Sequence, residues 1–225
     1  MNAKKIFGFL VAVLVLVFAT APIQAQVATV GNIPGIASVS GEITRISPPS
    51  SVEEGELEDS DTAFVFIEKE NFELTSDLTV NFRGTGLIDV SGDISNATIQ
   101  DGSVINSYFI HFDRVGQPST LSDVAGTIVF EENIIGVILL TGELNRSESQ
   151  LGAVRTEYGN AHGLEFSSQP QLSQDSVNIT SDRRTLTFTF ENNVQMDQMR
   201  VITGTSGSGG GDDGDEDAPN ARNDR

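Results

Sequence analysis

Ser176-Val177-Asn178-Ile179-Thr180-Ser181-Asp182-Arg183-Arg184-Thr185-Leu186-Thr187-Phe188-Thr189-Phe190 is the stretch that decides the fold class. Apolar and polar residues alternate on both sides of a short polar interruption, and a period of two marks a strand with one buried face. Val177 and Ile179 match Leu186, Phe188 and Phe190 across Ser181-Asp182-Arg183-Arg184, so the segment predicts a β-hairpin.

The same period extends outward through the chain. Phe64 and Phe66 oppose Val65 and Ile67, and Leu78, Val80 and Phe82 alternate with Thr79 and Asn81. Residues 72–83 read as a second hairpin turned by Thr75-Ser76-Asp77, and 38–46 as a first strand. Tyr108, Ile110 and Phe112 share one side of a strand, while Ser107, Phe109, His111 and Asp113 share the other. Either side could face inward, but the first is wholly apolar. The most hydrophobic stretch beyond the leader is 126–143, and its nearly continuous apolar run from Ile134 predicts a strand covered on both faces. Residues 199–203 supply a closing strand. Helical spacing is weak throughout, and 147–159 allows one helical turn or a loop.

Roughly ten short strands with frequent turns and no βαβ alternation predict an all-β, antiparallel β-sandwich of jelly-roll type, with a β-helix as the alternative. No fixed-period repeat is present, which argues against solenoids and propellers.

The N-terminus has the three parts of a secretory signal: Lys4 and Lys5, an uncharged apolar stretch from Ile6 to Phe18, and small residues up to Ala25. The apolar run is shorter than the ~20 residues needed to span a bilayer. The expected cut falls between Ala25 and Gln26, giving a signal peptide at 1–25, a β-sandwich domain at 26–203 and no membrane span in the mature chain. Within the domain, 48–61 holds two prolines, three serines, Gly55 and six carboxylates, a composition that predicts a solvated loop. From 204 to 225 the chain is Gly-, Asp- and Glu-rich with almost no apolar content, and a disordered acidic tail is expected.

Removing the leader takes away two of the 13 basic residues and none of the 32 acidic ones, so the exported chain carries a net charge near −21. Such a field repels a phosphate backbone and favours divalent cations or basic partners, which argues against nucleic-acid binding. The chain has no cysteine although its leader directs it to a compartment where disulfides form. Thiolate metal sites and cysteine nucleophiles are thereby excluded.

The blocks Gly102-Ser103-Val104-Ile105-Asn106-Ser107-Tyr108-Phe109-Ile110-His111-Phe112-Asp113, Gly126-Thr127-Ile128-Val129-Phe130, Ile135-Gly136-Val137-Ile138, Gly163-Leu164-Glu165, Asp182-Arg183-Arg184-Thr185-Leu186-Thr187 and Asp197-Gln198-Met199-Arg200-Val201-Ile202-Thr203 occur in a characteristic order. Over about 100 residues this series resembles the exported bacterial surface-protein domains of the PEP-CTERM or choice-of-anchor type. The resemblance implies a β-rich surface or matrix protein and brings no catalytic residues with it. The sequence departs from that pattern after residue 203, where no Pro-Glu-Pro motif follows, so a freely secreted form is expected.

Catalysis is the weaker reading. A glycosidase needs two carboxylates with pKa values pushed apart, and Glu131, Glu132, Glu165 and Asp175 are the candidates, all beside turns. A Ser-His-Asp set would have to use His111 or His162, and no Gly-x-Ser-x-Gly elbow is present. Phe109, His111 and Asp113 form the one aromatic-polar constellation suited to a sugar ligand, against the simpler reading of burial beneath another segment. Calcium is the most credible cofactor for an exported, cysteine-free sandwich, because hard cations take oxygen ligands. The run Asp212-Asp213-Gly214-Asp215-Glu216-Asp217 lacks the flanks and final ligand of an EF-hand. The sequons at Asn96, Asn145 and Asn178 do not by themselves indicate glycosylation. The expectation is a secreted, non-enzymatic surface or matrix protein that binds polysaccharide or a cell-surface protein. Its alternatives are a secreted carbohydrate-active hydrolase and a calcium-dependent adhesion module.

Overall fold

Which strands alternate and which are apolar throughout determines how the layers stack. The computed structural model describes residues 28–116, 123–169, 175–191 and 196–204; the leader, the cleavage position at Ala25 and Gln26, and the acidic tail from 205 lie outside these residues. In chain order the strands are β1 (Ile36–Gly41), β2 (Ile43–Arg45), β3 (Ala63–Glu73), β4 (Leu78–Val80), β5 (Gly86–Ile88), β6 (Ala97–Ile99), β7 (Val104–Phe112), β8 (Val124–Phe130), β9 (Asn133–Ile138), β10 (Ser176–Ile179), β11 (Thr185–Phe190) and β12 (Asp197–Gly204). They form an outer sheet in the order β1-β8-β11-β10-β5, a central sheet in the order β2-β3-β7-β12-β9, and a two-stranded ribbon of β4 and β6. The pairing is antiparallel except between β2 and β3, and the all-β sandwich expected from the sequence is the fold. The strand order does not establish the jelly-roll form.

The deciding hairpin stands as read, with Val177 opposite Phe188 and Ile179 opposite Leu186. Its turn is held by Asp182 Oδ1, which accepts the backbone N–H groups of Arg184 and Thr185 at 2.9 and 3.2 Å. In β8 and β11 burial alternates residue by residue, because the outer sheet packs on one side only.

The central sheet is covered on both sides. Tyr108, Ile110, Phe112, Met199 and Val201 pack against Ile128, Val177, Leu186 and Phe188 of the outer sheet. On the opposite face Phe66, Phe109, Ile138 and Ile202 pack under Val52, Leu57, Leu78, Leu144 and Tyr158. The two-sided burial expected for the run from Ile134 holds for β9, and it extends to β7 and β12. Gly204, assigned to the tail by composition, pairs with Asn133 at the end of β12.

Four local expectations are corrected. Residues 38–46 form two strands in different sheets, joined at Glu42, whose N–H donates to Ala125 O while its carbonyl accepts from Ala63 N. Gly41 makes this switch possible, with φ +86° and Ala125 O only 2.6 Å from where a Cβ would sit. Residues 72–83 are not a hairpin: β3 pairs with β7, whereas β4 pairs with β6, because Leu74 exchanges backbone hydrogen bonds with Gly102 and Ser103 instead of closing the turn. The helix α1 (Thr141–Leu151) takes the place of the helical turn or loop expected at 147–159, and buries Glu143, Leu144, Ser147 and Leu151. Only two of those four are apolar, so the helical stripe was faint in the sequence.

The acidic segment 48–61 is the fourth. Val52 and Leu57 are buried, and they press the segment onto the central sheet as a roof while Glu54, Glu56 and Asp61 stay exposed. Two anchoring apolar residues thus outweigh six carboxylates, which need only point outward. No helix of the described residues is long and apolar enough to cross a membrane.

Candidate functional site

β7 and β12 run side by side with Phe112 opposite Asp197 and His111 opposite Gln198, so the chemistry-bearing ends of both strands fall at one end of the central sheet. Three further segments arrive there. Asp175 immediately precedes β10, and Glu191 immediately follows β11. Residues 161–165 pass close by, fixed where Leu164 N donates to Leu139 O at 2.8 Å. Gly163 permits this approach, since a Cβ there would lie 2.4 Å from both Leu139 O and Thr141 N.

The result is an acidic cluster. Asp175 Oδ2 accepts the backbone N–H of Glu165 at 2.6 Å, and its Oδ1 accepts that of Glu191 at 3.1 Å, tying the passing segment to the end of the hairpin. One ligand atom each of His162, Glu165 and Asp197 lie within 4.8 Å of one another. His162 Nδ1 is 3.2 Å from Glu165 Oε1, and both side chains are about one-third exposed. Asp197 is 0% exposed, and neither of its carboxylate oxygens has a hydrogen-bond partner.

Electrostatics follow from that packing. Burial, reinforced by Glu165, pushes Asp175 up to about 7 even though two backbone N–H groups favour its charged form. Burial also raises Asp197 well above the usual carboxylate range, with Asp175, Glu165 and Asp113 adding repulsion. Among the described residues, no lysine or arginine pairs with Asp175 or Asp197. Such a group of carboxylates can hold a proton or a cation between its members, and it is the one place on the described surface where side chains of metal-ligating type converge.

The constellation Phe109, His111 and Asp113 lies on one face, as the period requires, but beneath the roof. Phe109 and His111 are 0% exposed and Asp113 is 6% exposed. His111 Nε2 lies 3.0 Å from Leu57 O, a group that only accepts, so Nε2 carries the proton and Nδ1 accepts from Gln198 Nε2 at 2.9 Å. Gln198 also donates to Val52 O and accepts from His162 N. Burial pushes His111 down to about 4, against the opposing Leu57 hydrogen bond. Asp113 accepts Gly55 N at 2.6 Å, and its pKa is raised by burial. These residues hold the roof down and present no exposed surface to a ligand.

Behind them sits a buried ion pair that the strand pattern concealed. Arg200 Nε and Nη2 donate to the Glu68 carboxylate at 2.8–3.1 Å, Nη1 donates to Leu144 O and Ser147 Oγ, and the guanidinium lies 5.0 Å from the Phe109 ring and 5.2 Å from that of Tyr158.

Of the carboxylates singled out in the sequence, Glu165 and Asp175 are brought together. Glu131 and Glu132 are not part of the cluster: Glu132 accepts from Asn106 Nδ2 at 2.9 Å, in a pocket shared with Pro34, Gly35 and Glu70. Asp197 was missed as a site residue, and its one signal was an acid heading a strand that is buried to its end.

Fold and site define an all-β sandwich with a buried acidic cluster at one end. Comparison of the chain with family models, with curated proteins and with solved structures gives no match.

Proposed function

We propose that this protein is an exported, non-enzymatic β-sandwich module of a bacterial cell surface or its matrix, engaging polysaccharide or another surface protein through its acidic exterior. The observation that supports this reading most is the roof. The residues whose types suggested ligand chemistry, Phe109, His111 and Asp113, are occupied in holding 48–61 against the sheet, and that segment turns Glu54, Glu56 and Asp61 outward. A fold with an anionic exterior and such a leader suits contact with cationic or cation-bridged surface polymers. The block order shared with exported surface domains points the same way.

The convergence of Glu165, Asp175 and Asp197 raises the hydrolase reading, because retaining glycosidases place two carboxyl groups about 5–5.5 Å apart. Asp175 and Asp197 are 2% and 0% exposed, however, and neither can touch a glycosidic oxygen in this conformation. The test is co-sedimentation of residues 26–225 with insoluble bacterial polysaccharides and surface fractions, run beside a reducing-sugar assay on the same polymers. Salt-sensitive binding without turnover is expected. Sugar release lost in Glu165→Gln would overturn the proposal in favour of a hydrolase, and absence of binding to every fraction would remove the surface role.

A further inference from the structure

We infer that Glu165 and Asp197, with His162 at the rim and Asp175 beside them, form a site for a hard divalent cation of the calcium class that pins one end of the sandwich. The geometric basis is Asp197, a wholly buried carboxylate whose two oxygens receive no N–H or hydroxyl donor among the described residues and which faces the Glu165 carboxyl and the other ligand atoms.

The chain itself shows how it handles a buried carboxylate elsewhere. Glu68, with its side chain 0% exposed, receives Arg200 and the Ser107 hydroxyl, so its charge is fully answered. Asp197 is buried as deeply, and its titratable neighbours among the described residues are His162, Glu165, Asp175 and Asp113. Burying an ionised carboxylate without a partner costs several kcal/mol, and the remedies are a proton or a cation. Nearby Asp175 uses its oxygens to accept Glu165 N and Glu191 N, which fixes the segment that carries Glu165 beside Asp197.

Size and donor type favour calcium. Oxygen ligands at ~2.3–2.6 Å place donors on opposite sides of one ion about 4.6–5.2 Å apart, so donors within 4.8 Å of one another can share it. Carboxylates are the donors a hard ion prefers, whereas one imidazole at the rim is a weak claim for zinc. The ligands come from the segment at 161–165 and from the start of β12, so the ion would cross-link parts of the chain far apart in sequence. In a protein with no cysteine, such a link does what a disulfide does in other exported domains. The site would form whatever surface the module serves.

The experiment is thermal unfolding of residues 26–225 at pH 7.5 after chelator treatment, with calcium, magnesium, manganese or zinc added back. With an affinity in the ~10⁻⁴–10⁻³ M range of extracellular calcium modules, 5 mM calcium raises Tm by roughly 2–9 °C, reversibly with chelator. Asp197→Asn abolishes that rise, whereas replacing a purely structural aspartate would lower the ion-free Tm and leave the calcium response in place. Glu165→Gln, at the more accessible rim, weakens apparent calcium affinity at least tenfold, and the exposed control Glu54→Gln keeps the full response. If Asp197→Asn does not fold, Glu165→Gln decides. The inference is overturned if calcium leaves the wild-type Tm unchanged, if the variants retain the rise, or if zinc acts at micromolar concentration in a His162-dependent manner while calcium does not act.

Discussion

Replacing Arg200 with methionine probes the best-satisfied polar group in the structure. Arg200 is 1% exposed, grips both oxygens of Glu68, and donates at 2.8 Å to Leu144 O and Ser147 Oγ. Methionine preserves most of the apolar stem packed near Phe109 and Tyr158, so the substitution removes charge more than volume. Glu68 is then left buried without a cationic partner, while the Ser107 hydroxyl still donates to it. An uncompensated buried charge of this kind costs about 3–5 kcal/mol. For a domain of this size that lowers Tm by roughly 6–20 °C. Urea unfolding at pH 7, followed by circular dichroism, should show the midpoint falling with little change in slope. Adding Glu68→Leu removes the second charge as well, and the double variant should recover at least half the loss, since apolar replacement of a whole buried pair is often near neutral. A single-variant loss under about 1 kcal/mol, the value of an exposed pair, would refute the reasoning. So would a double variant as unstable as the two single losses summed.

Three other outcomes are expected. His111, held neutral with its pKa pushed down to about 4 from 6.5, is protonated first in the unfolded chain, so it contributes about 3 kcal/mol that is present above pH 6.5 and lost as pH falls toward 4. Asp175, pushed up to about 7, works with the opposite sign, so the check is the difference between wild type and His111→Gln, which should shrink across that window; a difference independent of pH would refute the neutral, buried assignment. Gly163→Ala forces a Cβ against backbone atoms that cannot yield and should cost about 1–3 kcal/mol or more in denaturant unfolding, whereas Gly31→Ala, with open space around it, should be near neutral. Tyr158→Phe leaves Ala153 N without its 2.8 Å acceptor inside the layer over the central sheet and should lower stability by about 1–3 kcal/mol, with no loss expected only if water replaces the hydroxyl.

The fold class and the elements whose signal is local were legible along the chain. The hairpin of β10 and β11 could be read to the residue pair, because alternation and a turn motif are properties of neighbours along the chain. The continuous apolar run in β9 announced a strand covered twice for the same reason. Tertiary structure alone decided which strands pair over distance, so that 72–83, locally a hairpin, divides between two sheets. It also decided the roof, since two buried apolar residues in an acidic segment have no period to display. Glu165 and Asp175 were visible as acids, but their meeting with Asp197 depends on the Leu164 N–H donating to Leu139 O and on the Asp175 carboxylate accepting the Glu191 N–H. Arg200 and Glu68 lie 132 residues apart and look like ordinary surface charges in their strands. Pairing across space depends on which faces the layers bury together, and a one-dimensional pattern of polarity does not specify that.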